Sequence, residues 1–146
     1  MKIIVLMLSR EFPKTHSRSG EPTGFRRKLS REKLHTMRGN KNGWWDRCAR
    51  EINEGKAILS VRQWLGKPYR SRQMEIARYT RVGLQHVSMS YSSDMPLPTA
   101  YVDGKYVSIY ELAQNDGLEL PDFIEWFFTK DNVFDGVIIQ LTDFKY

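Results

Sequence analysis

Apolar and polar positions alternate through much of this chain, and the alternation predicts most of its strands. Residues 2–8 place six apolar side chains after one lysine, which predicts a buried strand at the start of the fold. In residues 56–63, Ala57, Leu59 and Val61 fall on one side and Ile58, Ser60 and Arg62 on the other, the period of a strand. Residues 74–79 and 82–90 predict two further strands, separated by Thr80 and Arg81. Asp103-Gly104 is a strong turn pair, so residues 100–108 predict a tight hairpin. Val137, Ile139 and Leu141 alternate with Ile138, Gln140 and Thr142 in a closing strand over 134–144.

Helical spacing accounts for the segments between. Residues 25–33 put Phe25, Leu29 and Lys33 on one side, with Thr23 as cap. Trp44, Cys48 and Ile52 recur every four residues in an amphipathic helix that ends near Gly55; of Trp44 and Trp45, one is expected to pack and the other to border a pocket. Ser108-Ile109-Tyr110-Glu111 matches a capping box, so a helix starts at Ile109 and stops before Gly117. Pro121 opens another over 122–128, with Phe123, Trp126 and Phe127 on one face. Residues 9–24 interrupt the pattern with two prolines and two glycines among polar residues. They predict a long polar loop, whether lid, binding loop or disordered segment, in which His16 is expected to be solvated. About six strands and three or four short helices, without regular helix crossovers, predict an α+β fold. The expected form is a curled, mostly antiparallel β-barrel with short flanking helices, in one domain spanning 1–146.

The single cysteine, Cys48, excludes an internal disulfide framework and is expected to be packed. The first apolar run is too short for a signal-peptide core and far from the roughly 20 residues a membrane span needs, so a soluble cytoplasmic protein without membrane contact is expected. Charge adds a direction. Residues 1–80 hold 19 Lys and Arg against 7 Asp and Glu, a net of +12, whereas residues 81–146 hold 4 against 10, a net of −6. The first half therefore reads as an anion-facing side, suited to nucleic acid or to nucleotides. Within it, Trp64, Lys67, Tyr69, Arg70 and Arg72 interleave aromatics and cations, the composition that holds phosphates and stacks bases of RNA or single-stranded nucleic acid. A solvated hairpin connection has the same composition.

Residues 33–38 concentrate the candidate chemistry. Lys33, His35, Thr36 and Arg38 bring an amine, an imidazole, a hydroxyl and a guanidinium together where few positions are apolar. In an extended segment Thr36 and Arg38 face away from His35 and Met37, and Lys33 joins the first pair only if the chain turns just before it. A wall of this kind suits a planar polar ligand or a phosphate. A lysine beside a hydroxyl can also take its proton if the amine pKa is held down. Asp116, at the end of the capped helix and followed by Gly117, is the candidate acid, although a plain turn start has the same sequence. No histidine pair has metal-ligand spacing and no nucleophile elbow is present, so neither metal nor cofactor is expected.

The segment Glu32-Lys33-Leu34-His35-Thr36-Met37-Arg38 resembles the G-x-K-x-x-T-x-R segment of ASCH domains, with Arg31 and Glu32 where many members carry a glycine. The basic 64–73 loop after a strand, the Asp116-Gly117 helix end, Phe123-Ile124-Glu125-Trp126-Phe127 and Phe134-Asp135-Gly136 follow in the same order, so that the resemblance covers roughly residues 25–146. It implies a PUA-like barrel. It also implies either an RNA- or modified-nucleoside-binding module or an amidohydrolase that removes the acetyl group from N4-acetylcytidine. In that enzyme group a lysine and a threonine of the motif work with a later glutamate. Lys33 and Thr36 match the first two by motif position, and Asp116, one methylene shorter, falls where the acid stands.

Overall fold

The computed structural model describes residues 1–146 as two sheets and four helices. The larger sheet is antiparallel throughout, in the order β2 (His35–Arg38), β8 (Val133–Gln140), β5 (Gly83–Ser90), β6 (Thr99–Val102) and β7 (Lys105–Val107). The smaller runs β1 (Lys2–Met7), β3 (Ala57–Trp64) and β4 (Gln73–Tyr79), with β1 parallel to β3 and β4 antiparallel to it. The class is α+β and mostly antiparallel, but the sheets do not close into a barrel. Alternation reports which face of a strand is buried and says nothing about which edges pair. For β1 even the burial differs from expectation: Ile4 and Leu6 enter the core while Ile3 and Val5 stay exposed on an edge strand.

Helix α2 (Trp44–Asn53) lies on β3, and its apolar stripe is Trp45, Cys48, Ala49 and Ile52. Trp45 packs and Trp44 is exposed, with the Arg47 guanidinium 5.8 Å from its ring. Helix α1 is a single turn, Phe25–Lys28, entered through Gly24 in the left-handed region; Thr23 bonds the Phe25 N–H but also the Ser9 carbonyl. Helix α3 (Ile109–Asn115) starts at Ile109 as expected, with Ser108 at its N-cap, yet no side-chain capping bond forms there. Helix α4 (Leu120–Phe128) buries Phe123 fully, while Trp126 and Phe127 are half-buried against the core.

The 9–24 segment keeps most of its residues exposed but buries Phe12, His16 and Thr23 and is tied down at several points. Its backbone pairs with itself through Phe12 N–H to Glu21 O and Thr23 N–H to Arg10 O. It is fastened to α4 by Arg18 to Asp122 at 2.6 Å and by Ser17 to Glu125. His16 corrects the expectation of a solvated ring: it is buried, 4.6 Å from the Phe12 ring, with Nε2 3.1 Å from the Asp122 carbonyl and Nδ1 accepting from the Arg18 N–H. Partners on α4, a hundred residues along the chain, supply what the local sequence lacks. No helix is long and apolar enough to cross a membrane.

Candidate functional site

The chain turns sharply before Lys33. Lys28 O accepts the N–H groups of Arg31, Glu32 and Lys33, and Ser30 takes the left-handed region with φ 63°. Lys33 then runs beside the end of α3, bridging Asp116, while Leu34 N–H donates to Asn115 O at 2.7 Å. From His35 onward the chain is β2, locked to β8 in the register Thr36 to Ile139.

These local structures bring four of the expected residues to one cavity of about 300 Å³. Lys33, Thr36, Arg38 and Asp116 line it together with Phe25 and Trp126. Met7, Leu8 and Ser9 at the end of β1 complete one wall, and Phe127 another. Lys33 is only 2 % exposed and Asp116 4 %, so the candidate acid lies at a buried floor and not on an exposed turn. Lys33 Nζ donates to Asp116 Oδ1 at 3.1 Å and to the Asp116 carbonyl at 2.9 Å, and it lies 4.2 Å from the centre of the Phe25 ring.

Two opposing effects set the protonation of this pair. Burial pushes the Lys33 amine below the ordinary lysine value, against the pull of Asp116, and the nearby charges of Arg38 and Lys28 push the same way as burial. Burial by itself would raise the Asp116 carboxyl, yet Lys33 and His35 outweigh it and the carboxyl sits below its usual range. Asp116 is a carboxylate at neutral pH. Lys33 is an amine whose proton is unusually easy to remove.

Arg38 does not pair with Asp116. Its guanidinium donates to Thr36 Oγ1 at 2.7 Å, to Met37 O at 2.8 Å and to Met7 O at 2.7 Å, tying β2 to the end of β1. A hydroxyl that accepts from a permanent cation is made more acidic and keeps its own proton free to donate, so Thr36 suits both a hydrogen bond to a ligand and a nucleophilic role.

The remaining expected residues lie elsewhere. His35 is fully buried and does not line the cavity, although Met37, two residues further along β2, does. Trp64, Lys67, Tyr69, Arg70 and Arg72 belong to the end of β3 and the β3–β4 connection, outside the cavity. Tyr69 is 89 % exposed with its ring 5.2 Å from Trp64, and Ser71 organises the loop by accepting from Gly66 N–H and donating to Lys67 O. The loop emerges beside the cavity wall, since Leu8 N–H donates to Arg62 O and Arg10 to Leu65 O. Sequence reasoning misses Phe25, Trp126 and Phe127 as ligand-facing residues because aromatics at helical spacing read as core. Met7, Leu8 and Ser9 carry no signal at all.

No protein-family model, curated protein or solved structure matches this chain.

Proposed function

We propose that the cavity binds a modified nucleobase and that the protein is an ASCH-like, PUA-like domain directed to nucleosides or RNA. The observation that carries this reading is the convergence of Lys33, Thr36, Arg38 and Asp116 with the rings of Phe25 and Trp126 on one small cavity. At about 300 Å³ it is at the lower end of ligand pockets, a size for one planar base with a small substituent and not for a dinucleotide. Apolar rings offer stacking faces, and the hydroxyl, amine and carboxylate offer the few fixed polar groups that give orientation. The basic 64–72 loop next to the wall supports RNA as the carrier of the base.

A second reading, hydrolysis of an acylated cytidine, is favoured by one observation, the depressed amine of Lys33 held against a buried carboxylate. In this scheme Lys33 takes the Thr36 hydroxyl proton as Oγ1 attacks the acyl carbon, and the resulting ammonium returns the proton to the departing ring amine. Water then takes the acyl group from Thr36 by the reverse route. Asp116, already ionised, orients the amine and stabilises its charge instead of supplying a proton itself.

Calorimetric titration with N4-acetylcytidine, cytidine and a short single-stranded RNA tests both readings. N4-acetylcytidine is expected to bind, and Thr36→Ala to weaken it by up to about tenfold, the upper end of what one neutral hydrogen bond is worth. Chromatography of the same mixtures shows whether cytidine and acetate accumulate. A folded wild type that binds neither nucleosides nor RNA rules out the nucleobase reading.

A further inference from the structure

Behind Asp116, on the side away from the cavity, a line of buried polar groups has no place in either reading. Asn115 Nδ2 donates to the Tyr146 hydroxyl at 3.1 Å, and that hydroxyl lies 2.6 Å from His35 Nε2. The other ring nitrogen, Nδ1, is buried with no hydrogen-bond partner of standard geometry, and Asp116 Oδ1 lies 3.4 Å from it. Tyr146 is seated firmly: its backbone N–H donates to Gln85 Oε1 and its carbonyl accepts from Gln85 Nε2, while Gln140 Nε2 holds Gln85 Oε1 in place.

Counting protons gives the chain a direction. The Tyr146 oxygen already accepts from Asn115, and the acceptor within reach of its own O–H is His35 Nε2. If Nε2 carried a proton, the tyrosine proton would be left with no acceptor, at the cost of an unmade bond in a partly buried place. Nε2 is therefore bare and Nδ1 carries the ring proton, with the Asp116 Oδ1 charge 3.4 Å away. From these contacts, and resting on the nucleobase reading of the cavity, we infer that Tyr146 and His35 are positioning residues: a one-way chain from Asn115 through Tyr146 and His35 holds the Asp116 carboxylate from behind while Lys33 holds it from the cavity side.

The Lys33 hydrogen bond and the electrostatic pull of a ring N–H 3.4 Å away act on the same Asp116 oxygen and together restrict the carboxylate more than either alone. Lys33 bonds both the Asp116 carbonyl and its side chain and can follow a rotation about the Asp116 Cα–Cβ bond; the imidazole, packed 5.5 Å from the Tyr146 ring and fully buried, cannot. Hydrogen-bonding groups behind a working carboxylate or metal ligand commonly fix its geometry in this way.

The test is nitrogen-15 NMR of the His35 ring in the full chain, with Tyr146→Phe as the variant. In the wild type Nδ1 should be protonated and Nε2 bare, with the Nε2 signal displaced by an accepted hydrogen bond; in Tyr146→Phe that displacement should vanish while Nδ1 remains protonated. A wild-type ring protonated at Nε2 overturns the chain. Titration with N4-acetylcytidine supplies the second arm, where Tyr146→Phe should bind about tenfold more weakly at a melting temperature close to that of the wild type, and Tyr146→Phe binding as well as wild type overturns the positioning role. Failure of the wild type to bind any nucleoside is a failure of the nucleobase reading, and the ring tautomer still decides whether the chain exists.

Discussion

Lys33 passes so close to Gly117 that a Cβ added at Gly117 would lie 2.9 Å from the Lys33 Cβ. Gly117 also has φ 81°, which ends α3 by letting Leu118 N–H reach Ala113 O. The glycine thus meets two demands, a left-handed cap and room for the lysine that bonds Asp116. Gly117→Ala should cost about 2 kcal/mol or more, from the left-handed backbone and the displaced lysine together. Urea unfolding measures this. A loss under about 0.5 kcal/mol, the size of an ordinary surface substitution, would show that Lys33 is not held as described.

How much of this is readable in the sequence divides by range. The alternation of Ala57, Leu59 and Val61 does mark the buried face of β3, and Asp103-Gly104 does turn the β6–β7 hairpin with φ 49° and 80°. Thr36 and Arg38 do share a side, and Lys33 joins them through a turn at Ser30. These are local consequences of side-chain period and turn chemistry. The parallel pairing of β1 with β3, the burial of His16 against Asp122 and the docking of Tyr146 on Gln85 join segments roughly 50 to 100 residues apart, and no local spacing encodes them. Asp116 shows the difference within one residue: its place after α3 is legible, but its burial follows from Lys33 crossing over it.

Helical spacing predicts a core role for Trp126, and its half-buried setting changes what its removal does. The ring packs edge-on to Phe12 at 5.6 Å, lies 5.9 Å from Phe25, and lines the cavity. Truncating a fully buried Trp costs about 3–5 kcal/mol, so Trp126→Ala should cost roughly half of that. The same variant should weaken N4-acetylcytidine, and Trp126→Phe should recover most of both losses. Loss of stability with unchanged ligand affinity would move the base away from this wall.

Stability should follow pH through the buried pair. Asp116 has a folded pKa below its unfolded value of about 3.9, so it contributes stability above that pH and loses it as pH falls through the lower folded value. Asp116→Asn should therefore be less stable than wild type at neutral pH and converge with it in the acid limb. Lys33 behaves differently at the other end. Its folded pKa is depressed by burial, so between that lower value and about 10.4 the unfolded chain binds more protons, and stability should rise with pH through that window as the amine is released. Urea midpoints measured across the pH range check both limbs; parallel curves for wild type and Asp116→Asn would remove Asp116 from the account.

The β3–β4 loop makes a separate prediction. Lys67, Arg70 and Arg72 are exposed and none of them forms a salt bridge, so their charge is free for a partner. If they meet phosphates of RNA entering the cavity, binding of a short single strand should weaken steeply with salt. Replacing all three by alanine should lower affinity and reduce the slope of log affinity against log salt by up to about 2, roughly 0.7 for each phosphate of the single strand that is no longer neutralised. Free N4-acetylcytidine, which has no phosphate, should bind the triple variant as it binds the wild type. An unchanged salt slope for RNA would exclude the loop from the interface.

Turnover separates binding from hydrolysis, and the residues at the cavity floor predict how. Thr36 accepts a charge-assisted bond from Arg38, and Lys33 is the one amine lining the cavity, its pKa held down by burial. If Thr36 Oγ1 attacks the acyl carbon, Thr36→Ser keeps the hydroxyl and should retain measurable cleavage of N4-acetylcytidine, whereas Thr36→Ala should lose roughly two or more powers of ten. Lys33→Ala should lose as much, because the Asp116 carboxylate left at the floor, its pKa held low, is a far weaker base for the hydroxyl proton than the amine. Asp116→Asn keeps the shape and removes the charge that steadies the ammonium, so its loss should fall on kcat more than on KM. A trapped acyl group on Thr36, detected by mass spectrometry of rapidly quenched wild type, would distinguish attack by the threonine from attack by water. If wild type, Lys33→Ala and Thr36→Ala cleave at the same rate, the chemistry happens elsewhere; if none cleaves while the wild type binds the nucleoside, the cavity recognises a modified base without processing it.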